Sequence, residues 1–202
     1  MKLIEYVRLG LKHRRDPYQV KYLSGRRVLD VGCGAGEFLA RDPQNMVGVD
    51  IDPELVNKCR ERGLAAHCMS ALALEFPDAN FDAVHAAQLI EHFAPADAAR
   101  FINEATRVLR PGGYLFITTP GVRNVWGTFS HIRPYPPAAF SKLLSCAVEN
   151  YLRDAPPALE IECVQGYRRY FGSRTATFAS SILDFIFQPR DPIGWTIVLH
   201  KK

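Results

Sequence analysis

The sequence predicts an α/β fold, a parallel sheet covered by helices on both faces. Three observations predict it. Short β-branched runs alternate with amphipathic stretches, the turns between them are short, and the first run ends in closely spaced glycines. The chain has 202 residues, enough for one domain with a sizeable core and no disulfide or metal staples.

Leu3, Ile4, Val7 and Leu11 recur at helical spacing, so the segment up to Gly25 reads as a helical cover over one end of the sheet. Arg27-Val28-Leu29-Asp30-Val31 is the first buried strand, stopped by Gly32 and followed by a glycine turn opening a helix. Val47 to Ile51 is the second. Asp52-Pro53 then supplies an N-cap and an N1 proline for a helix through Arg62. Ala65 to Met69 is a weak third strand. Phe81 to Ala86 is the fourth, introduced by the turn Pro77-Asp78-Ala79-Asn80. Helical spacing holds from Pro95 until Arg110-Pro111-Gly112-Gly113 breaks it, and Tyr114 to Thr118 is the fifth strand.

Beyond Pro120 the rhythm loosens. Residues 121–137 read as a polar and aromatic loop, 138–148 as a helix, 161–167 as a strand, 175–187 as an amphipathic helix and 195–199 as the last strand. No linker or repeat interrupts the chain, so one domain is expected over 1–202. Residues 1–25 would be its N-terminal cover and 121–190 its substrate-side loop and helices.

Composition excludes several classes. With 48% hydrophobic and 23% charged residues the chain is neither disordered nor fibrous. Five cysteines, at 33, 59, 68, 146 and 163, form no CxxC pair and suit a reducing cytoplasm. Glu5 and Arg8 interrupt any signal-peptide core, and no stretch reaches the ~20 apolar residues of a membrane span. The net charge of +4 is modest, although Lys12, Arg14, Arg15, Lys21, Arg26 and Arg27 crowd the N-terminal segment. Such a face would suit a nucleic acid and serves equally as a solvated helix surface.

The run Val28 to Gly36 is a ligand-binding turn, because glycine lets the backbone approach a ligand closely. A dinucleotide site of pattern G-x-G-x-x-G counted from Gly32 and Gly34 needs glycine at 37, where this chain has Glu37. A carboxylate there would also repel a pyrophosphate at a helix N-terminus. A cofactor with positive ammonium and sulfonium groups suits acidic surroundings, which Asp30 beneath the turn would supply. Asp50, twenty residues after Asp30, ends the second strand, where its two oxygens could accept from both hydroxyls of a ribose.

From Val28 to Pro120 the chain resembles the class I S-adenosylmethionine-dependent methyltransferases, of the small-molecule type that includes the ubiquinone-biosynthesis O-methyltransferases. Five motifs in order carry the resemblance: Leu29 to Gly36, Gly48 to Ile51, Phe76 to Asp82, Ile90-Glu91-His92, and Val108 to Gly113. It covers nearly half the chain. It implies a Rossmann-like doubly wound sheet of seven strands, with the last, here 195–199, antiparallel. The resemblance also implies S-adenosyl-L-methionine as cofactor and S-adenosyl-L-homocysteine as product.

By position it sets Gly32, Cys33, Gly34 and Gly36 under the methionine moiety. Asp50 and Ile51 fall at the ribose, Ser70 and Ala71 beside the adenine, and Gln88 toward the sulfur. Ser70 departs from the family, which often has an aspartate there. Cys33 reads as a packing residue, since direct methyl transfer needs no nucleophile on the enzyme.

His131, His92 and Tyr135 are the candidate bases, in that order. Each has a competing structural role, His92 in shaping the turn after the fourth strand, and His131, Arg133 and Tyr135 in fastening the loop. Gln88, Glu91, His92 and His131 echo a metal-binding arrangement of some quinone and RNA methyltransferases. Those carry glutamate at the position of Gln88, and no metal is expected here.

The expected reaction is methylation of a small-molecule acceptor, by preference at oxygen. An RNA acceptor is the alternative within the enzyme class, and an inactive cofactor-binding interaction subunit is the alternative outside it. A nicotinamide-dependent oxidoreductase is disfavoured by Glu37. Oligomeric state is not legible.

Overall fold

In the computed structural model, residues 2–13, 16–145, 158–167, 182–183, 185–186 and 192–202 are described. Seven strands form one sheet: β1 (Val28–Val31), β2 (Met46–Asp50), β3 (Ala66–Cys68), β4 (Phe81–Ala87), β5 (Leu109–Pro120), β6 (Leu159–Tyr167) and β7 (Gly194–Lys201). Their order is β3-β2-β1-β4-β5-β7-β6. β1 pairs in parallel with β2 and β4, as do β2 with β3 and β4 with β5. β7 runs antiparallel to both β5 and β6. The doubly wound sheet with an antiparallel last strand is thus the expected one. The strand order turns at β1 and β4, a switch point that leaves a crevice at the carboxyl ends of those strands.

Strand alternation separates two cores. Leu29, Val31, Val84, Ala86, Leu115 and Ile117 face one side, where Phe101, Ile102 and Ala105 of α4 (Pro95–Val108) and Phe140 of α5 (Pro137–Leu144) cover them. Val28, Met46, Ala83, Phe116 and Val198 face the other. Tyr6 of α1 (Leu3–His13), Tyr18 and Tyr22 of α2 (Pro17–Leu23) and Val56 and Cys59 of α3 (Pro53–Glu61) pack there.

The N-terminal cover differs from the sequence expectation in two ways. It is two helices, because Asp16 accepts the Tyr18 N–H at 2.8 Å as an N-cap and Pro17 can only begin a helix. It also covers a face of the sheet, not an end. The Tyr18 hydroxyl donates to Gln165 at 2.9 Å and the Tyr22 hydroxyl to Glu162 at 3.2 Å, both on β6. The apolar stripe is misjudged as well, with Ile4 83% exposed while Tyr6 is buried.

The glycine turn opens no α-helix. Only a 3₁₀ turn, Leu39–Arg41, precedes Asp42-Pro43 and β2. Leu39 and the Cys33 thiol lie where a Gly48 side chain would stand, so this turn sits tightly on β2. Arg110 to Gly113, read as a break, lies inside β5, which begins at Leu109 opposite Phe81 and shifts register between Phe81 and Ala83. The expected helices over 138–148 and 175–187 fall partly or largely outside the described residues. Ile182 and Phe185 join the second core, whereas Leu183 and Ile186 are exposed.

Two polar clamps fix the connections. Arg107 donates to the carbonyls of Leu74 and Phe76 at 2.7 and 2.8 Å, to Glu104 at 2.9 Å and to Asp78 at 2.8 Å. This holds the loop before β4 to α4. Lys201 donates to the carbonyls of Thr106 and Leu109 at 2.7 and 2.6 Å, satisfying orphan acceptors at the C-terminus of α4.

Candidate active site

The turn after β1 lies at the carboxyl edge, and its three glycines are needed for different reasons. Gly32, Gly34 and Gly36 all have positive φ, at 74, 54 and 82°. A Cβ on Gly36 would stand 2.6 Å from Leu64 and 2.9 Å from the Cys59 thiol, so packing against α3 and the turn that follows it demands glycine there. A Cβ on Gly32 would press on Leu89 at 3.1 Å. At Gly34 nothing lies within 4 Å, so a ligand can approach its bare backbone. Gly36 is buried and supports this approach from below.

Asp50 ends β2 and holds the turn in shape. One oxygen accepts the Gly34 N–H at 2.9 Å and the other the Asp52 N–H at 3.0 Å. Each oxygen keeps lone-pair capacity for a further donor. Ile51 beside it is 74% exposed and offers an apolar surface at the edge. Beyond β3, the Ser70 oxygen accepts the Leu72 N–H at 3.2 Å, and Ser70 and Ala71 are both half-buried.

Asp30 is not presented to the crevice. It is buried and accepts from His85 Nδ1 at 2.6 Å across the β1/β4 register. The Phe38 ring stacks on His85 with centroids 3.8 Å apart. The acidic surroundings expected of Asp30 are therefore spent inside the fold. His85 escapes the sequence reading, although a polar residue interrupting each of two buried, otherwise apolar strands is the signal for such a pair. Cys33 is buried too, and burial together with Asp30 pushes its thiol up, which fits a packing residue. Glu37 turns outward to Arg62 at 3.1 Å, so its carboxylate guards no helix N-terminus.

Gln88 follows β4 with φ 53°, a conformation that a side-chain-bearing residue adopts at a cost. Its N–H donates to the Thr118 carbonyl at 2.8 Å, and its amide reaches the Thr118 and Tyr167 hydroxyls at 3.5 Å. Burial pushes the Tyr167 hydroxyl up. Tyr167 joins the site from the end of β6, a contact between distant segments that sequence spacing does not reveal.

Glu91, His92 and His131 converge, offering one ligand atom each within 4.8 Å of one another. Glu91 is fully buried, neither of its oxygens makes a hydrogen bond, and burial pushes its carboxyl above the usual range. His92 Nδ1 faces the Ser130 carbonyl at 3.2 Å and His131 Nδ1 the Val125 carbonyl at 2.9 Å. In the neutral rings those contacts put the proton on Nδ1 and leave Nε2 as a lone pair for a proton or a cation.

Tyr135, the third candidate base, is corrected. It is buried, its hydroxyl donates to the Phe93 carbonyl at 2.8 Å, and burial pushes it up to about 12. It fastens the loop.

Residues 29–117 match a family described as a methyltransferase domain. This match runs from β1 into β5 and takes in less than half of the chain. Over 124 residues it is 36% identical to a ubiquinone biosynthesis O-methyltransferase of Xylella fastidiosa, covering 53% of this chain and 49% of that one. It is 41% identical over 105 residues to a fatty-acid O-methyltransferase of Mycolicibacterium smegmatis, covering 48% and 38%. The chain thus spans half or less of the length of these relatives. In structure it is similar to an S-adenosylmethionine-dependent methyltransferase of Archaeoglobus fulgidus, with a TM-score of 0.67, 19% identity, and 95% and 94% of the two chains covered.

The cofactor named for that structural relative is S-adenosylmethionine. The open backbone at Gly34 and the remaining acceptor capacity of Asp50 fit it. Among the described residues, no helix is long and apolar enough to cross a membrane.

Proposed function

We propose that this protein transfers the methyl group of S-adenosylmethionine to an oxygen of a small-molecule acceptor. The observation that carries the reading is the bare backbone of Gly34 at the β1/β4 switch point, with Asp50 holding it from β2. The bound cofactor supplies an electrophilic methyl group and leaves as S-adenosylhomocysteine. Asp50 accepts from the ribose with the lone pairs its two backbone contacts leave, and Ile51 covers one face of the nucleoside. Ser70 and Ala71 border the adenine. Gly32, Gly34 and Gln88 border the methionine and sulfur end.

Alignment supplies most of the rate, since holding two reactants at attack distance is worth about 7–11 kcal/mol in favourable cases. The acceptor's hydroxyl proton passes to Nε2 of His131, or of His92 beside it, a step worth typically ~10²–10⁴-fold. The four free cysteines among the described residues agree with a cytoplasmic setting.

A second reading of the same three residues is a divalent cation held by Glu91, His92 and His131, favoured by the unbonded buried carboxylate. Adding zinc or magnesium and following the thermal midpoint separates the two. A rise that disappears in His131→Ala is the mark of a cation site, and no rise leaves the histidines as bases.

The reaction itself is tested by following S-adenosylhomocysteine formation with a phenolic quinol, a fatty acid and RNA as acceptors. Turnover with one of the small molecules is expected, reduced about 10²-fold or more in His131→Ala where the acceptor is a hydroxyl that must lose its proton. Turnover with RNA alone would overturn the small-molecule reading, and salt-sensitive binding would accompany it.

A further inference from the structure

The loop that follows β5 carries a second surface. Residues 121–144 contain Arg123, Arg133 and Lys142 and no aspartate or glutamate. Val122, Trp126, Phe129 and Ile132 on this loop are all exposed, Trp126 at 64% and Phe129 fully. Arg123 and Arg133 are exposed among them.

This exposure is built in. Val125 is wholly buried, the Gly121 N–H donates to the Ile193 backbone carbonyl at 2.6 Å, the Ile132 N–H donates to the Glu91 backbone carbonyl at 2.8 Å, and Tyr135 is tied to Phe93. The backbone is pinned on both sides of each exposed apolar residue. Scattered exposed apolar residues are ordinary, but four on one pinned loop whose own charged residues are all basic are not. Indole and phenyl rings beside arginines are the composition of a lipid headgroup boundary.

We propose that this loop docks on an anionic phospholipid surface, with Trp126 and Phe129 entering the headgroup layer and Arg123 and Arg133 facing the phosphates. The loop leaves β5 on the carboxyl side of the sheet, the side of Gly34 and Asp50, and His131 lies within it. An apolar acceptor would then reach the site from the lipid phase. That consequence rests on the proposed methyl transfer, whereas the docking does not.

Sedimentation of the full chain with vesicles of phosphatidylcholine and phosphatidylglycerol, against phosphatidylcholine alone, tests it, with Trp126 emission as a second readout. Binding to the anionic vesicles is expected, with a blue shift, weakening in salt and a loss of tenfold or more in Trp126→Ser/Phe129→Ser. An unchanged stabilisation by S-adenosylhomocysteine would show the variant folded. Absence of binding by the unaltered protein, or equal binding by the variant, overturns the proposal. So does self-association that the variant abolishes without any vesicle binding, which would make the occupant a second copy. Vesicle binding without stabilisation by S-adenosylhomocysteine would keep the docking surface and remove the enzymatic reading.

Discussion

At the residue scale, the three glycines separate folding from binding. Gly36→Ala meets Leu64 and Cys59, and alanine also resists its φ of 82°, so a loss of stability well beyond the backbone cost is expected. Gly34→Ala meets only open space and incurs the left-handed backbone cost of about 1–2 kcal/mol. It should remain folded yet bind S-adenosylhomocysteine at least tenfold more weakly. Denaturant melts with isothermal titration check both, and a Gly34→Ala variant that binds normally would place the cofactor elsewhere. The glycines and Asp50 were legible in sequence because backbone freedom and a strand-end carboxylate are local properties. Asp30 was misread because its partner His85 lies fifty-five residues away, and only strand pairing brings them together.

At the element scale, the Arg107 clamp binds α4 to the loop before β4. Arg107→Ala leaves the Leu74 and Phe76 carbonyls without this donor and Glu104 with the Leu74 N–H alone. A loss of about 1.5–3 kcal/mol in denaturant unfolding is expected from a charge-assisted hydrogen-bonding group. The same clamp sets a pH dependence. Hydrogen bonding from Arg107 holds the Glu104 carboxyl below its usual range, so the folded state gains stability above the unfolded value of about 4.3. That gain should fade as pH falls through the depressed folded value, and Glu104→Gln should flatten the acid limb of the thermal midpoint.

The strands and α4 were legible at this scale from periodicity and turn chemistry. The helix expected after the glycine turn was not realised, because Asp42-Pro43 arrives too soon for more than a 3₁₀ turn. The second N-terminal helix was missed because apolar spacing outweighed the Asp16-Pro17 start signal.

At the scale of the whole molecule, the doubly wound sheet gathers the loops after β1, β2, β3, β4 and β5 and the end of β6 at one edge. There the Gly34 turn with Asp50 shares the carboxyl edge with Glu91, His92 and His131. The fold was legible because five short motifs occur in order, and the glycine turn with Asp50 stands where those motifs set it. The convergence of His131 with Glu91 and the arrival of Tyr167 depend on long-range topology and were not fully legible.

The central claim is that this edge binds S-adenosylmethionine. Its most direct test is the thermal midpoint of the purified chain with S-adenosylmethionine, S-adenosylhomocysteine or NAD, alongside Asp50→Ala. At 100 times its dissociation constant a ligand stabilises the folded state by about 2.7 kcal/mol, a rise of about 5–10 °C for a chain of this size. A rise with the two adenosyl ligands that Asp50→Ala abolishes is the predicted result. No rise with either, or a rise with NAD alone, would contradict it.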